Sequence, residues 1–412
     1  MRAVPLLTAA RRLAPVVLGI LVATCATNPV TGKRELSLVS ESQEISMGRS
    51  YAGQVAQETG VYPDSSVQAY VSGIGLEMAR ASERPRLPWT FTVMDDPQVN
   101  AFALPGGFIF VTRGILTHMS SEAELATVVG HEIGHVTARH SVQQMTRQQL
   151  AQIGLMAGAI ASDEIARNLG VIGQGLGVLF LKYGRDDESQ ADGLGFRYAL
   201  NDGYDVRRMV DMFRILQRVS GKAGQRIPEW QSTHPDPGNR IQATEQRLAR
   251  LTVPLDGTKV NREPFLRAID GMIYGDNPRN GFFTGGLFRH PDLAFQVRFP
   301  DDWRTVNQSR AVLGVSPSQD AQLQLALAGQ AAPGDALKRF LGQQGVQAGR
   351  SSQTTINGNP AALAPFTAQT QDGAQLSGLV AFVSFTGNTY QLLGLTAAAA
   401  DTYDRTFQSF VG

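Results

Sequence analysis

Three of the six histidines in this 412-residue chain fall within ten residues, at 131, 135 and 140, and two of them flank a glutamate in His131-Glu132-Ile133-Gly134-His135. The segment reads as a helix. Ser121 and Glu124 have capping-box spacing, and Leu125, Val128, Val129 and Ile133 follow along one side. Residues four apart on a helix share a face, one turn above each other, so both imidazoles reach a common point. Such a pair suits zinc, which accepts neutral imidazole nitrogen at about 2.0–2.1 Å and prefers four ligands. Glu132 falls on the neighbouring azimuth, where it meets a metal-bound water rather than the metal. The rival reading, an ordinary helix with two incidental histidines, fits poorly with so few histidines in so long a chain.

A catalytic zinc site needs a third protein ligand and an open fourth position. Glu188, in Glu188-Ser189-Gln190-Ala191-Asp192, is the leading candidate, with Asp192 one turn on to orient a zinc histidine through its free ring N–H. The competing reading makes Asp186, Asp187, Glu188 and Asp192 a solvated helix start, where acidic residues suit the dipole. Spacing alone leaves both open.

Charge and length bound the rest. Thirty-seven basic residues nearly cancel 36 acidic ones, and a net charge of +1 gives no reason to invoke nucleic acid or an anionic membrane surface as the main partner. The N-terminus reads as an export signal over residues 1–24. Arg2, Arg11 and Arg12 precede an apolar run from Leu13 to Ala23 that is too short to span a bilayer comfortably. Cys25 follows it and is the single cysteine, so no internal disulfide exists for it to make. Placed there it resembles the lipidated cysteine of a bacterial lipoprotein. Thr24 departs from the Gly, Ala or Ser usual before that cysteine, and plain signal-peptidase cleavage is the alternative. Ala26 behind it favours, by the same resemblance, the outer membrane.

Periodicity predicts helices from Ser42, over 66–81, from Ser121, over 186–200, from Val206 to Val219 and from Pro237, where Asp236 is a candidate cap. Trp89 to Met94 alternates like a strand, and residues 100–111 read as two short strands around Pro105-Gly106-Gly107. Residues 150–181 are apolar but broken by Asp163, Glu164, Arg167 and Asn168, which indicates two buried or lid-forming helices rather than a membrane span. Composition shifts near 255, and 256–290 reads as a linker. From 291 to 412 alternating runs dominate, with turns at Asn357-Gly358 and Gly387-Asn388 and helices at 335–343 and 401–410. The expected class is α+β: a mainly helical domain with a small sheet over 25–255, then a separate α/β domain.

Four ordered motifs, Asn100–Gly114 (NAFALPGGFIFVTRG), His131–Ser141 (HEIGHVTARHS), Glu188–Asp192 (ESQAD) and His234–Arg240 (HPDPGNR), with the lead-in Thr27–Arg34 (TNPVTGKR), resemble the gluzincin zinc peptidases of the HtpX and BepA kind. The resemblance spans roughly residues 27–250. It implies a zincin-like fold, one zinc ion held by His131, His135 and Glu188, Glu132 as general base, and Asp192 behind the ligands. It further implies an exported endopeptidase that cuts unfolded or misassembled envelope proteins in a Gram-negative periplasm, or else a latent protease serving mainly as a chaperone or assembly factor. For His234 three roles stay open: fourth ligand of a latent enzyme, oxyanion stabiliser of an active one, or a loop histidine with packing duties. Arg240 is a second candidate for the oxyanion. His140, five residues past His135 and so pointing off the metal face, is expected to be structural, and His118 and His290 to lie outside the site. Asn100, Ala101 and Phe102 form either a sheet edge that takes substrate as an added strand or an ordinary hairpin. The pattern around Phe299-Pro300-Asp301-Asp302-Trp303 weakly resembles the PsbP/Mog-one-like sandwich.

Overall fold

A computed structural model describes residues 25–161, 183–222, 234, 237–307, 311–369, 375–399 and 401–412. The expected export signal, the 162–181 part of the proposed lid helices and the Asp236 cap lie outside these residues. The chain forms two compact units, Met1–Gly275 and Asp276–Gly412.

The first unit begins with a short ribbon, β1 (Cys25–Thr27) against β2 (Arg34–Leu36), followed by α1 (Glu41–Thr59) and α2 (Ser65–Arg80). Three strands come next, β3 (Thr90–Met94), β4 (Ala101–Leu104) and β5 (Phe108–Thr112), in the order β3-β5-β4. Strand β5 runs parallel to β3 and antiparallel to β4. Its five residues are all buried, as expected of the central strand. The helices α3 (Arg113–Leu116), α4 (Glu122–Thr137), α5 (His140–Ala161), α6 (Arg185–Asn201), α7 (Arg208–Lys222), α8 (Pro237–Ala249) and α9 (Arg262–Ala268) complete it.

Helix α4 carries the histidine pair through the centre of this unit. Ser121 caps it by accepting from the Glu124 main-chain N–H at 3.4 Å. The expected reciprocal bond is displaced by one residue, since the Glu124 carboxylate accepts from the Ser120 main chain and hydroxyl. Leu125, Val129 and Ile133 are fully buried, and so is nearly every other α4 residue. The helix stops at Arg139, whose φ of 58° is left-handed and is held by bonds to Glu44 and to the Val39 carbonyl. Helix α6 crosses α4 at a small-residue contact. A Cβ on Gly195 would stand 2.7 Å from the His131 main-chain nitrogen, and one on Gly130 would stand 3.0 Å from the Gly195 carbonyl oxygen. Only glycine lets two helix backbones approach this closely.

In the second unit β6 (Phe282–Thr284), β7 (Leu287–His290) and β8 (Phe295–Arg298) form a three-stranded sheet in that order. A larger antiparallel sheet holds β9 (Arg304–Asn307), β10 (Ala311–Val315) and β11 (Ala321–Gly329). After α10 (Pro333–Leu341) it takes in β12 (Val346–Ala348), β13 (Ser352–Ile356), β14 (Asn359–Gln369), β15 (Gln375–Phe385) and β16 (Asn388–Thr396), and α11 (Asp404–Val411) ends the chain. The order is β12-β14-β15-β16-β11-β10-β9, with β13 also on β14. Alternation along β15 feeds two cores. Ala381 and Val383 pack with Phe288, Phe299 and Phe407, while Val380 and Phe382 pack with Leu337 of α10. The β13–β14 turn has Asn357 and Gly358 both at positive φ, the hairpin geometry that Asn-Gly predicts. The β15–β16 hairpin turns on Thr386 and Gly387, one residue before the predicted pair.

The stretch 256–290, expected as a linker, is structured. Phe265 of α9 is fully buried in the first core, and Phe288 of β7 lies in the second. One apolar anchor per short element left no periodicity to read. Among the described residues no helix is long and apolar enough to cross a membrane.

The α4–α6 contact generates a stability prediction. Gly195→Ala should destabilise the first unit by about 1–3 kcal/mol, because backbone must move to admit the methyl. Gly53→Ala in α1 meets nothing within 4 Å and should be neutral or stabilise by about 0.5–1 kcal/mol. Urea unfolding of both variants checks the contrast; equal midpoints would reject the close-approach argument.

Candidate metal centre

The helix turn predicted to juxtapose His131 and His135 does so. Their Nε2 atoms lie 3.0 Å apart, and both rings are buried. Helix α6, drawn against α4 by the glycine contact, delivers Glu188, whose Oε1 stands 3.4 Å from His135 Nε2 and whose Oε2 stands 3.6 Å from His131 Nε2. His234 approaches from the far side, with Nδ1 3.4 Å from His131 Nε2 and 2.7 Å from Glu188 Oε1. One ligand atom from each of these four buried residues falls within 4.8 Å of every other. Four ligands at zinc distances on a tetrahedron are separated by about 3.4 Å, and the observed spacings scatter around that edge. His234 thus sits where a fourth ligand would.

Each histidine is oriented by a partner behind it. His131 Nδ1 lies 3.0 Å from Asp192 Oδ1. A ring N–H directed at that carboxylate leaves Nε2 as a lone pair facing the cluster. His135 Nδ1 lies 2.9 Å from His140 Nδ1, and His140 Nε2 lies 2.9 Å from Gln190 Oε1. A chain of N–H donors from His135 to His140 to Gln190 fixes the second lone pair in the same way. The expectation that His140 points away holds only for a continuous helix. The break at Arg139 turns it back onto His135. Tyr183 stacks on the His135 ring at 3.9 Å, and its hydroxyl shares a 2.8 Å hydrogen bond with Ser141 Oγ.

Burial presses on every charge here. It drives the His135 pKa well below the usual histidine range, keeping the imidazole neutral as a ligand must be. It raises Glu132, an effect the nearby His234 and His131 partly oppose. Burial also works against ionised Glu188 and Asp192. Glu188 is nevertheless held well below the usual carboxylate range by His234 and His135, and Asp192 is held low by Arg240 and His131. Arg240 donates to Asp192 at 2.6 and 2.9 Å, pairs with Glu188 Oε2 at 3.1 Å, and covers the Phe213 ring at 4.5 Å. Its donors face the two carboxylates. That engagement ties Arg240 to Asp192 and Glu188, and the residue also lines the cavity that Glu132 and His234 border.

The donor set fits a divalent cation on two grounds. Three buried carboxyl groups, Glu132, Glu188 and Asp192, stand around one guanidinium, Arg240, which pairs with Glu188 and Asp192 and leaves an excess of acidic groups for a cation to balance. Glu132 Oε2 and His234 Nε2 are buried without hydrogen-bond partners among the described residues, and orphaned polar atoms of this kind signal a missing counterpart.

A narrow apolar cavity opens beside the cluster. Ile115, Val128, Met209, Met212, Phe213 and Leu216 line it, with His131, Glu132, His234, Asn100 and Ala101 at its polar end. Strand β4 is the sheet edge, pairing only with β5 among the described residues. Asn100 and Thr112 are bonded through Thr112 N to Asn100 O at 3.0 Å. Antiparallel alternation therefore turns Phe102 toward β5 and leaves the main-chain groups of Ala101 and Ala103 on the outer edge. The Phe102 side chain stacks on Phe110 at 5.0 Å. Asn100 Oδ1 is buried and has no hydrogen-bond partner among the described residues. His118 bonds the Gly114 carbonyl and Tyr274, and His290 lies in β7 of the second unit; neither joins the cluster. Tyr183, Phe213 and the His140–Gln190 relay were not legible as site residues, although Gln190 lies inside the Glu188–Asp192 motif.

Residues 65–248 match peptidase family M48. The chain is 31% identical to mitochondrial metalloendopeptidase OMA1 of Arabidopsis thaliana over 186 residues, 45% of this chain and 36% of that protein. It is 27% identical to the beta-barrel assembly-enhancing protease of Escherichia coli K12 over 235 residues, 55% of this chain and 48% of that one. The chain thus spans about half the length of such relatives or less. Among solved structures it is similar to cyanobacterial PsbP from Synechocystis sp. PCC 6803, with 14% identity, 31% of this chain and 89% of that one covered, and a TM-score of 0.26. Through residues 65–248 the chain is thus similar to peptidase family M48.

Proposed function

We propose that this chain is a zinc-dependent endopeptidase that hydrolyses peptide bonds in unfolded or misassembled envelope proteins. The reading rests above all on the four converging ligand atoms of His131, His135, Glu188 and His234 beside the unpartnered Glu132 carboxylate oxygen. His131, His135 and Glu188 would hold the zinc ion, which would supply Lewis acidity toward a scissile carbonyl and water. Asp192 and His140 hold the ligand histidines in the tautomers that present Nε2. Glu132, raised by burial, accepts a proton from the attacking water and passes it to the leaving amine. An extended substrate adds to the Ala101 and Ala103 edge of β4, with Asn100 Oδ1 accepting a substrate N–H. The apolar cavity receives a neighbouring side chain.

His234 gates this site. With Nδ1 among the ligand atoms it closes the fourth position, which favours a latent resting form. Displaced, its ring becomes the donor nearest the carbonyl oxygen. A protein that stayed latent would act mainly as a chaperone or assembly factor, the second reading. The relatives called beta-barrel assembly-enhancing proteases come from Gram-negative bacteria, which supports an envelope location here. We assign Cys25 as the point of lipid attachment to the outer membrane. The segment just behind it is tied to the catalytic helix, since Asn28 donates to the Ala138 carbonyl at 3.1 Å.

Glu188→Ala should lower bound zinc from near one equivalent to about a tenth or less, measured by metal analysis of the purified chain. Glu132→Gln should keep zinc while casein cleavage falls about 10²–10⁴-fold; unchanged cleavage rejects the base assignment. His234→Ala should keep zinc and raise casein cleavage if the ring is a gate, whereas a fall would assign it to the oxyanion instead. Palmitate labelling in a Gram-negative host should vanish in Cys25→Ser; persistent label would place the lipid elsewhere, and none in the parent would remove the anchor.

A further inference from the structure

The second unit carries a cavity of about 610 Å³ that the catalytic reading does not use. Leu325, Ile356, Val383, Phe385, Tyr390 and Leu392 form an apolar, partly aromatic stretch of its wall, and residues such as Arg298, Asn357 and Ser409 add a polar one. Leu327, opposite Tyr390 in the β11–β16 register, is 59% exposed and extends the same row beyond Leu325. The Tyr390 hydroxyl is buried without a hydrogen-bond partner among the described residues.

All four residues of β8, Phe295 to Arg298, line this cavity. Successive side chains of a strand point to opposite faces. Four in a row can therefore border one space only where it meets the strand at its edge. Strand β8 is an edge strand, pairing with β7 alone among the described residues. The bond from Phe299 N–H to the Gly286 carbonyl at 2.7 Å sets the phase of the ladder. Phe295 and Val297 then face β7 with their main-chain groups, and Gln296 and Arg298 turn theirs to the open edge. The half-buried Phe295 and Val297 side chains point into the core side, and those of Gln296 and Arg298 are exposed.

We propose that this unit binds an extended, alternately apolar polypeptide segment as a strand added to β8, with every second side chain seated in the cavity. An open main-chain edge beside an apolar wall is what strand addition requires: the edge gives hydrogen bonds and the wall selects the alternate side chains. The four-residue edge is about 13 Å long, which matches a short unfolded segment rather than a folded surface. Binding of this kind needs no catalysis.

The test uses the full chain carrying Glu132→Gln and a fluorescein-labelled ten-residue peptide alternating Val and Thr. Anisotropy should report saturable binding, and the same peptide with Val replaced by Ser should not bind. Gln296→Pro removes an outward N–H without touching the β7 ladder, as edge strands tolerate, and should weaken binding at least about tenfold. Gln296→Ala should leave it unchanged, and thermal melts should show both variants folded. A benzophenone placed at the peptide centre should cross-link to residues 294–298 or 356–359. Cross-linking confined to 100–104 would assign binding to the other sheet edge and overturn the proposal. So would oleate binding with no peptide binding, a β8-dependent dimer that excludes the peptide, or equal affinity for the Gln296→Pro variant.

Discussion

The close crossing of α4 and α6 is the contact on which the site depends. Glu188 is 53 residues beyond His135 in sequence, and nothing local brings it near. It arrives because Gly130, Gly134 and Gly195 let the two backbones meet at distances that a side chain would prevent. The same contact carries Gln190 and Asp192 to the outer nitrogens of His140 and His131. One packing decision therefore sets Glu188, Gln190 and Asp192 together. A widened crossing would shift them together too.

Electrostatics then makes the site expectant of a cation. Burying an ion costs several kcal/mol even after relaxation, and here Glu188 and Asp192 share one guanidinium. The low pKa of Glu188 and Asp192 means that both persist as anions despite that cost. His234 is itself raised, because burial is outweighed by Glu188 and Glu132. A cluster that draws a proton onto a buried imidazole draws a metal for the same reason, so His234 and the cation compete for one field of negative charge. The ring is attracted to Glu188 whether or not it serves as a ligand.

Local rules made much of this legible. The i, i+4 spacing placed His131 and His135, capping signals placed the start of α4, and alternation marked the strands of the second unit. Glu188 and Asp192 could not be chosen by spacing, because acidic residues at a helix start also suit solvent and the dipole. They became specific only in the context of the family motifs. His140 was misplaced in direction because the left-handed Arg139 breaks the helix, and nothing in an arginine announces a positive φ. Tyr183 and Phe213 were invisible for a related reason. An aromatic that stacks on a ligand and one that fills a core look alike until the partner is known. The linker expectation failed where elements are too short to show a period, as in α9, whose single buried anchor is Phe265.

The two units present the same device in different settings. In each, an antiparallel pair ends in an edge strand, β4 beside the metal cluster and β8 beside the larger cavity. Natural sheets usually blunt such edges with charge, proline or a covering element. Here β4, Ala-Phe-Ala-Leu, has three of its four residues buried, while β8 is guarded only by the exposed side chains of Gln296 and Arg298. An unblunted edge is a liability to a protein that meets no unfolded chains. It becomes an asset when extended polypeptide is the ligand, because main-chain pairing is indifferent to sequence and the adjoining apolar wall rejects polar segments. Folded proteins have already spent their main-chain hydrogen bonds internally and offer neither feature. Selectivity for unfolded chains can thus come from backbone geometry alone, before any side-chain specificity at the scissile bond is considered.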